Sequence, residues 1–395
     1  MPDMGINAVK ISRGGWSGSL HCGDSSLQCN RRDQKNHGEL IHQDKIIIEA
    51  MHGMGDVVCM LPMIREVREQ YPHAIITVIV NKPMIAEILK GSGIKLDKIL
   101  SINAHAQKWS FLKTCLGLRR EHFDLSISAA NTPVNKARLM MGIIGAKKKA
   151  GIQYSLRRNY NGLNDKYHFV DANLLILKEL GIENHHYSPA LVADINLTER
   201  LKQTFNGDKP VIGVCIGRAD ISFKNKRKRT EPVYTRGWGD FHLHVQNMET
   251  LVKMILGKKW QVILIGGIAE LEIHDALSEE VLCHPYCFDY VGKTTVSESI
   301  ALAGICDVVA GVDTGMQHIA DAAGTKTVSI FGPTNPKTHG AYSSNAYFAE
   351  SNEQCRCCYG TENYENCSSR KCLTNILPNQ VFNLIEKAIE EIQRK

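Results

Sequence analysis

The sequence predicts an α/β protein of two doubly wound parallel sheets facing each other across a cleft. Three observations lead there. From Lys45 onward, short β-branched strands alternate with amphipathic helices at the spacing of βαβ units. The alternation pauses in an Asn, His, Pro and Asp-rich stretch at 181–209 and restarts at Pro210, as two similar domains would. Residues 311–336, GVDTGMQHIADAAGTKTVSIFGPTNP, join a buried strand, a small-residue helix start and a second strand ending at Gly332–Pro333. Such a unit aims free backbone N–H groups and a helix dipole at an anion, phosphate above all.

Residues 1–42 show no sustained period and read as an extension. The first domain spans 43–190. Its first strand is KIIIEA, followed by the turn Met51–Gly55 and a helix from Asp56 with Val57, Val58, Met60, Leu61, Ile64 and Val67 at helical spacing. Strands at 74–80, 96–102, 123–128 and 150–152 then alternate with helices at 83–90, 107–120 and 133–144, and a helix at 171–180 closes the domain. The second domain, 205–376, opens with the strand 210–217. A helix at 248–256, a strand at 261–265, a helix at 270–280, a strand around 290–291 and a helix at 296–304 lead into the 311–336 segment. There Asp313 is read as N-cap of a helix starting at Thr314–Gly315, with Gly324 in the left-handed position after its end. A final helix at 378–394 carries an apolar stripe of Val381, Leu384, Ile385, Ala388, Ile389 and Ile392.

Composition narrows the class. Hydrophobic residues at 43% and charged ones at 22% fit a globular chain, and no apolar run reaches the roughly 20 residues of a membrane-spanning helix. The first forty residues lack the basic start and apolar core of a secretory signal, so a cytoplasmic address is expected. A net charge of +6 permits attraction to anionic substrates or peripheral contact with the inner membrane, but falls short of a nucleic-acid binder's footprint.

Five groups of residues are candidates for chemistry. In HGMGDVV, Gly53 and Gly55 permit a sharp turn, and Asp56 is placed at the sheet edge where open α/β folds bind ligands. There it is either a general base for a hydroxyl or a plain helix cap. After the strand VILIG, Gly266 and Gly267 mark a close approach, and Glu270 or Glu272 is either a ribose contact or a solvated helix start. The basic tract 224–229, with Arg218 and Arg236, is either a solvated face or a clamp over phosphates, Arg236 being the sharper candidate. Cys355, Cys358, Cys367 and Cys372 are spaced for a structural metal, reduced thiols or disulfides alike. His318, one turn into the helix after Thr314, is structural or a phosphate contact.

Paired, the segments HGMGDVVCMLPMIREVREQYPHAIITVIV and GKTTVSESIALAGICDVVAGVDTGMQHIADAAGTKTVSIFGPTNP resemble the ADP-heptose:lipopolysaccharide heptosyltransferase family, glycosyltransferase family 9. The similarity runs over roughly 45–392 and is strongest in 255–336. It implies a GT-B fold, with the acceptor on the N-terminal domain and the nucleotide sugar mainly on the C-terminal one. It also implies a last helix (377–395) packed back on the first domain, and inverting transfer with no cofactor required. Carried over by motif, Asp56 would be the base, while Thr314, Gly315 and His318 would hold the diphosphate, with Asp313 shaping the turn. Arg236 would stand near the basic residue that precedes a Trp in the family, and Glu270 beside Gly266 would contact the ribose. The implied donor is ADP-heptose or a similar nucleotide sugar. The cysteine set is similar to C-terminal clusters of many members and to the iron-binding finger of heptosyltransferases that modify autotransporters, which leaves a structural Fe or Zn open.

The family's compact segment is replaced at 221–244 by a longer, more basic one, and residues 1–42 match nothing in the family. The acceptor therefore stays open between a lipopolysaccharide core sugar, a protein hydroxyl and another glycan. Competing classes are a GT-B-like nucleotide-sugar epimerase, which needs a second acid–base set, and a binding module, which has no need of Asp56. A dinucleotide oxidoreductase is disfavoured because neither domain opens a helix with GxGxxG.

Overall fold

In the computed structural model the residues described are 45–102, 108–130, 132, 134–151, 167–183, 185–217, 221–223, 232–234 and 237–394. Residues from Gln43 on cluster as one compact unit.

The first half runs β1 (Lys45–Ala50), α1 (Met54–Gln70), β2 (Ile75–Val80), α2 (Pro83–Gly91), β3 (Lys98–Ser101), α3 (Lys108–Arg119), β4 (Leu125–Ser128), α4 (Val134–Ile144), β5 (Lys148–Ala150), α5 (Phe169–Leu174) and α6 (Ile176–Glu179). Its strands form an all-parallel sheet in the order β3-β2-β1-β4-β5. After α7 (Ile195–Lys202) come β6 (Val211–Cys215), β7 (Ile221–Phe223), β8 (Pro232–Tyr234), α8 (Phe241–Gly257), β9 (Gln261–Ile265), α9 (Leu271–His274), α10 (Glu279–Leu282) and β10 (Cys287–Asp289). The chain ends with α11 (Val296–Ile305), β11 (Val308–Val312), α12 (Gly315–Ala322), β12 (Lys326–Phe331), α13 (Pro336–His339), β13 (Ala346–Glu350), α14 (Glu362–Asn366), α15 (Lys371–Thr374) and α16 (Pro378–Gln393). The second parallel sheet has the order β10-β9-β6-β11-β12-β13, and β7 and β8 pair antiparallel beside it in sequence.

In both sheets the winding reverses next to the first strand, between β1 and β4 and between β6 and β11, which opens a crevice at the strands' carboxyl ends. The strands are near-continuous apolar runs because helices cover both faces. One core cluster passes through both halves: α1 residues such as Met60 and Ile64 join Ile300, Leu302 and Ile319 of α11 and α12, and Ile263 and Val309 of the second sheet.

Three expectations change. The helix after β11 is capped at Thr314, not Asp313, because the chain is still extended at Thr314 (φ −140°). Gly324 does take the left-handed conformation, φ +88°. The stretch 181–209 is not featureless: Asp194 accepts a hydrogen bond from the Leu197 N–H and starts α7.

The last helix is the third change. Rather than packing on the first half, α16 buries Val381, Phe382, Ile385, Ala388 and Ile389 in a cluster with Met248, Leu251 and Ile255 of α8 and with Val312, Val328 and Ile330 of the second sheet. Glu391 pairs with Lys326 at 2.9 Å and Glu386 with Lys258 at 2.6 Å, fixing the helix to that sheet and to the end of α8. The apolar stripe finds its partner beside the strands that precede it, where the sheet face would otherwise be bare.

Candidate active site

The two crevices meet in one cavity of about 450 Å³. From the first half it is lined by Gly53, Met54, Gly55, Asp56 and Cys59 on α1 and the loop before it, with Met84 and Phe169. From the second half come Gly217, Gly266, Gly267, Glu270, Thr294, Ser299, Asp313, Thr314, Gly315, His318 and His339. Thus Asp56, Gly266, Glu270, Asp313, Thr314, Gly315 and His318, read separately from sequence, line a single space. Arg236, Arg218 and the tract 224–229 lie outside the described residues.

Asp56 sits at the third position of α1, and its Oδ2 accepts the Gly53 N–H at 3.3 Å, so the capping role is present. Behind it the loop is held from below. Glu49, buried at the end of β1, accepts the Met51 N–H at 3.1 Å and the Thr132 hydroxyl, and His52 Nε2 lies 2.9 Å from that same hydroxyl. A carboxylate in an apolar strand must find such donors.

On the opposite wall, α12 starts with Thr314 Oγ1 buried and, among the described residues, without a hydrogen-bond partner. A hydroxyl at a helix N-terminus, beside N–H groups that have no intrahelical acceptor, suits an anionic oxygen. Asp313 is 9% exposed and accepts from Thr334 Oγ1 at 2.8 Å, so it ties this turn to the Gly332–Thr334 loop. Glu270 accepts the Gly267 N–H at 2.7 Å and lies against Gly217, where a Cβ would come within 3.2 Å of its Cγ. Glu272 is exposed outside the cavity.

The walls touch at two glycines. A Cβ on Gly55 would lie 2.6 Å from His318 Cδ2 and 3.3 Å from Gly315 Cα, and one on Gly315 would lie 3.1 Å from the Gly55 nitrogen. Only glycine allows the starts of α1 and α12 to come this close. Cys59, one turn along α1 from Asp56, places its Sγ 3.7 Å from His318 Nδ1. Burial first, then the charges of Asp56, Asp321 and Asp313, push this thiol well up, so it stays an S–H beside the His318 ring. Sequence reading missed Cys59, Phe169, Thr294 and His339. For Cys59 the only signal was its spacing of three from Asp56 on a helix.

The four cysteines share one neighbourhood. The Cys372 thiol is pushed up to about 12 by burial first and then by Cys358, Cys355 and Cys367, while hydrogen bonds from Arg370 and Ser369 N–H groups bring Cys367 down against its partial burial. Among the described residues, however, no three of these sulfurs converge as metal ligands would, so this geometry does not fit a bound metal. The segment does a mechanical job instead. The Cys357 N–H donates to Gly332 O at 3.0 Å and the Tyr359 N–H to Pro333 O at 2.7 Å. A Cβ on Gly332 would strike Leu373 at 2.5 Å.

Residues 244–368 match the family described as glycosyltransferase family 9 (heptosyltransferase). Lipooligosaccharide heptosyltransferase 2 of Haemophilus influenzae is 28% identical over 135 residues, which is 33% of this chain and only 34% of that protein. Lipopolysaccharide heptosyltransferase 2 of Escherichia coli is 22% identical over 74% of this chain and 84% of its own. In three dimensions, a glycosyltransferase family 9 protein of Veillonella parvula superposes with a TM-score of 0.69 at 16% identity, covering 88% of this chain and 98% of that one. The E. coli ADP-heptose lps heptosyltransferase II follows at 0.64 and 17%, covering 88% and 99%. The iron-containing dodecameric glycosyltransferase TibC of enterotoxigenic E. coli reaches 0.54 at 11%, covering 89% and 77%. The fold is GT-B, and residues 244–368, which hold the second of the two glycine-bearing motifs, match the glycosyltransferase family 9 (heptosyltransferase) model.

Proposed function

We propose that the cavity transfers a heptose, or a closely related sugar, from an ADP-sugar to a hydroxyl of a glycan acceptor of the lipopolysaccharide-core kind, with inversion and without a metal. The observation that carries this reading is the meeting of Asp56 and the Thr314–Gly315 helix start across one cavity. Each supplies what an inverting displacement needs on its side of the anomeric carbon.

Asp56 Oδ1 has no hydrogen-bond partner among the described residues and takes the proton of the acceptor hydroxyl as its oxygen attacks the anomeric carbon. The bond from that carbon to the diphosphate breaks, and the electron pair leaves with ADP. Negative charge develops at the start of α12, where backbone N–H groups, the Thr314 hydroxyl and an Nε2–H of His318 receive it. Glu270 holds the ribose. The E. coli structural relative named for ADP-heptose supports the choice of donor. The implied compartment is the cytoplasm.

A donor screen by mass spectrometry tests the reading, with ADP release as readout. ADP-heptose should be turned over, and Asp56→Asn should lower transfer by about 10²–10⁴-fold while ADP binding measured by calorimetry persists. Transfer at the wild-type rate by Asp56→Asn would remove the base assignment, and no ADP binding by the wild type would remove the donor. Offering a core oligosaccharide and a peptide in parallel separates glycan from protein acceptors.

A further inference from the structure

The α3–α4 surface carries charge and exposed apolar side chains that neither the cavity nor the core uses. Residues 108–149 hold nine Lys or Arg (108, 113, 119, 120, 136, 138, 147, 148 and 149) against two acids, Glu121 and Asp124. That local surplus exceeds the net +6 of the whole chain. Both acids are engaged at the base of the helices: Glu121 lies 3.9 Å from Lys45 and 3.6 Å from Lys98, and Asp124 pairs with Lys147 at 2.7 Å.

Among these charges stand large apolar groups. Trp109 is 80% exposed, Leu116 49% and, on the neighbouring helix, Leu139 63%. Trp109, Lys113, Leu116 and Arg120 follow one another at i, i+4, i+7 and i+11, which places them on one face of α3 running past its end. The opposite face, with Cys115 and Leu118, is already buried against Met140 and Ile144 of α4. The outer face is therefore not unfinished core.

We propose that this α3–α4 face docks the protein on an anionic lipid bilayer. Exposed tryptophan and leucine interleaved with lysine and arginine suit the headgroup boundary, where the indole sits between polar and apolar layers and the cations meet lipid phosphates. A soluble polyanion would leave Leu116 and Leu139 without a role. A symmetric second copy would set basic side chains against basic side chains. The face is also placed to be useful. In a parallel sheet each helix begins at the carboxyl edge of the strand before it, so Trp109, in the first turn of α3, lies at the edge where Asp56 lies. A lipid-linked acceptor would enter from the surface on which the protein rests.

Full-length protein is sedimented with vesicles of phosphatidylethanolamine containing about 30% phosphatidylglycerol, and with phosphatidylcholine vesicles alone, at low and high salt. The expected result is at least about tenfold preference for the anionic vesicles, lost at high salt, with tryptophan fluorescence quenched by brominated lipid. Lys113→Gln with Arg120→Gln should weaken the partition about twentyfold. Trp109→Ala should abolish the additional quenching that brominated lipid produces. ADP binding by calorimetry, unchanged in all variants, shows that they are folded and reports separately on the proposed function. Equal binding to both vesicle types, or unaltered partition of the variants, overturns the proposal. So does a wild-type dimer on a sizing column that Trp109→Ala converts to monomer, because the face would then belong to a second copy.

Discussion

At the scale of single residues, the site depends on what is absent at Gly55 and Gly315. Adding a methyl group at Gly55 must displace His318 or separate the starts of α1 and α12. Gly55→Ala should therefore cost about 1–3 kcal/mol of stability and weaken ADP binding in calorimetry, whereas Gly53→Ala, whose Cβ would come no nearer than 3.4 Å to the Asp56 carboxylate, should leave stability nearly unchanged. Cys59 offers a second residue-level test. Cys59→Ser keeps a donor for His318 Nδ1 and should retain transfer, while Cys59→Ala frees the ring to change tautomer and should lower kcat several-fold with little effect on acceptor KM. The glycines were legible in sequence because they cluster at strand ends beside an acid. Cys59 and Glu49 were not, since one looks like ordinary helix filling and the other like part of an apolar strand. Their partners, His318 and Thr132, are 259 and 83 positions away.

Elements bring in contacts that periodicity cannot assign. The apolar stripe of α16 revealed which side is buried, but not against which sheet, because both sheets present apolar faces. Ile385→Ala, a fully buried position on that stripe, should cost about 2–5 kcal/mol in urea unfolding. At the other end of the fold, α5 meets the loop after α13. His168 at its start contacts Gly340 O through Nε2 at 2.9 Å and accepts the Val170 N–H on Nδ1, and Tyr342 donates to Asp171 at 2.7 Å. Burial above all holds His168 down to about 4. The unfolded chain, with an ordinary value near 6.5, then binds more protons between about pH 6.5 and 4, so this histidine's contribution is present at neutral pH and lost on acidification through that window. Wild type should lose about 2 kcal/mol more than His168→Gln between pH 7 and pH 5. On the connecting stretch His185 acts in the opposite sense. Its ring, 2.7 Å from the buried Glu66, is held above the usual histidine range by that bond, so its stabilisation is complete at low pH and fades as pH rises through the raised value.

For the whole molecule, one core passing from the first sheet through α1 and α12 to the second has a thermodynamic signature. Far-ultraviolet circular dichroism and tryptophan fluorescence should report a single coincident transition, since neither half can expose α1 or α12 alone without opening the shared cluster. Two separated transitions would contradict that continuity. The α/β class and the two doubly wound sheets were within reach of sequence because strands and helices alternate as βαβ units. The closeness of the two halves was not, because it depends on side chains from distant helices meeting in space.

The segment from 351 to 376 also has a consequence beyond support. Through Cys357 and Tyr359 it holds Gly332 and Pro333, and through Thr334 that loop holds Asp313, the residue before the α12 start. Oxidation that joined any two of its thiols would shorten the segment and pull on this chain of contacts. The donor end of the cleft would then answer to the redox state of its surroundings, through thiols that lie outside the cavity lining.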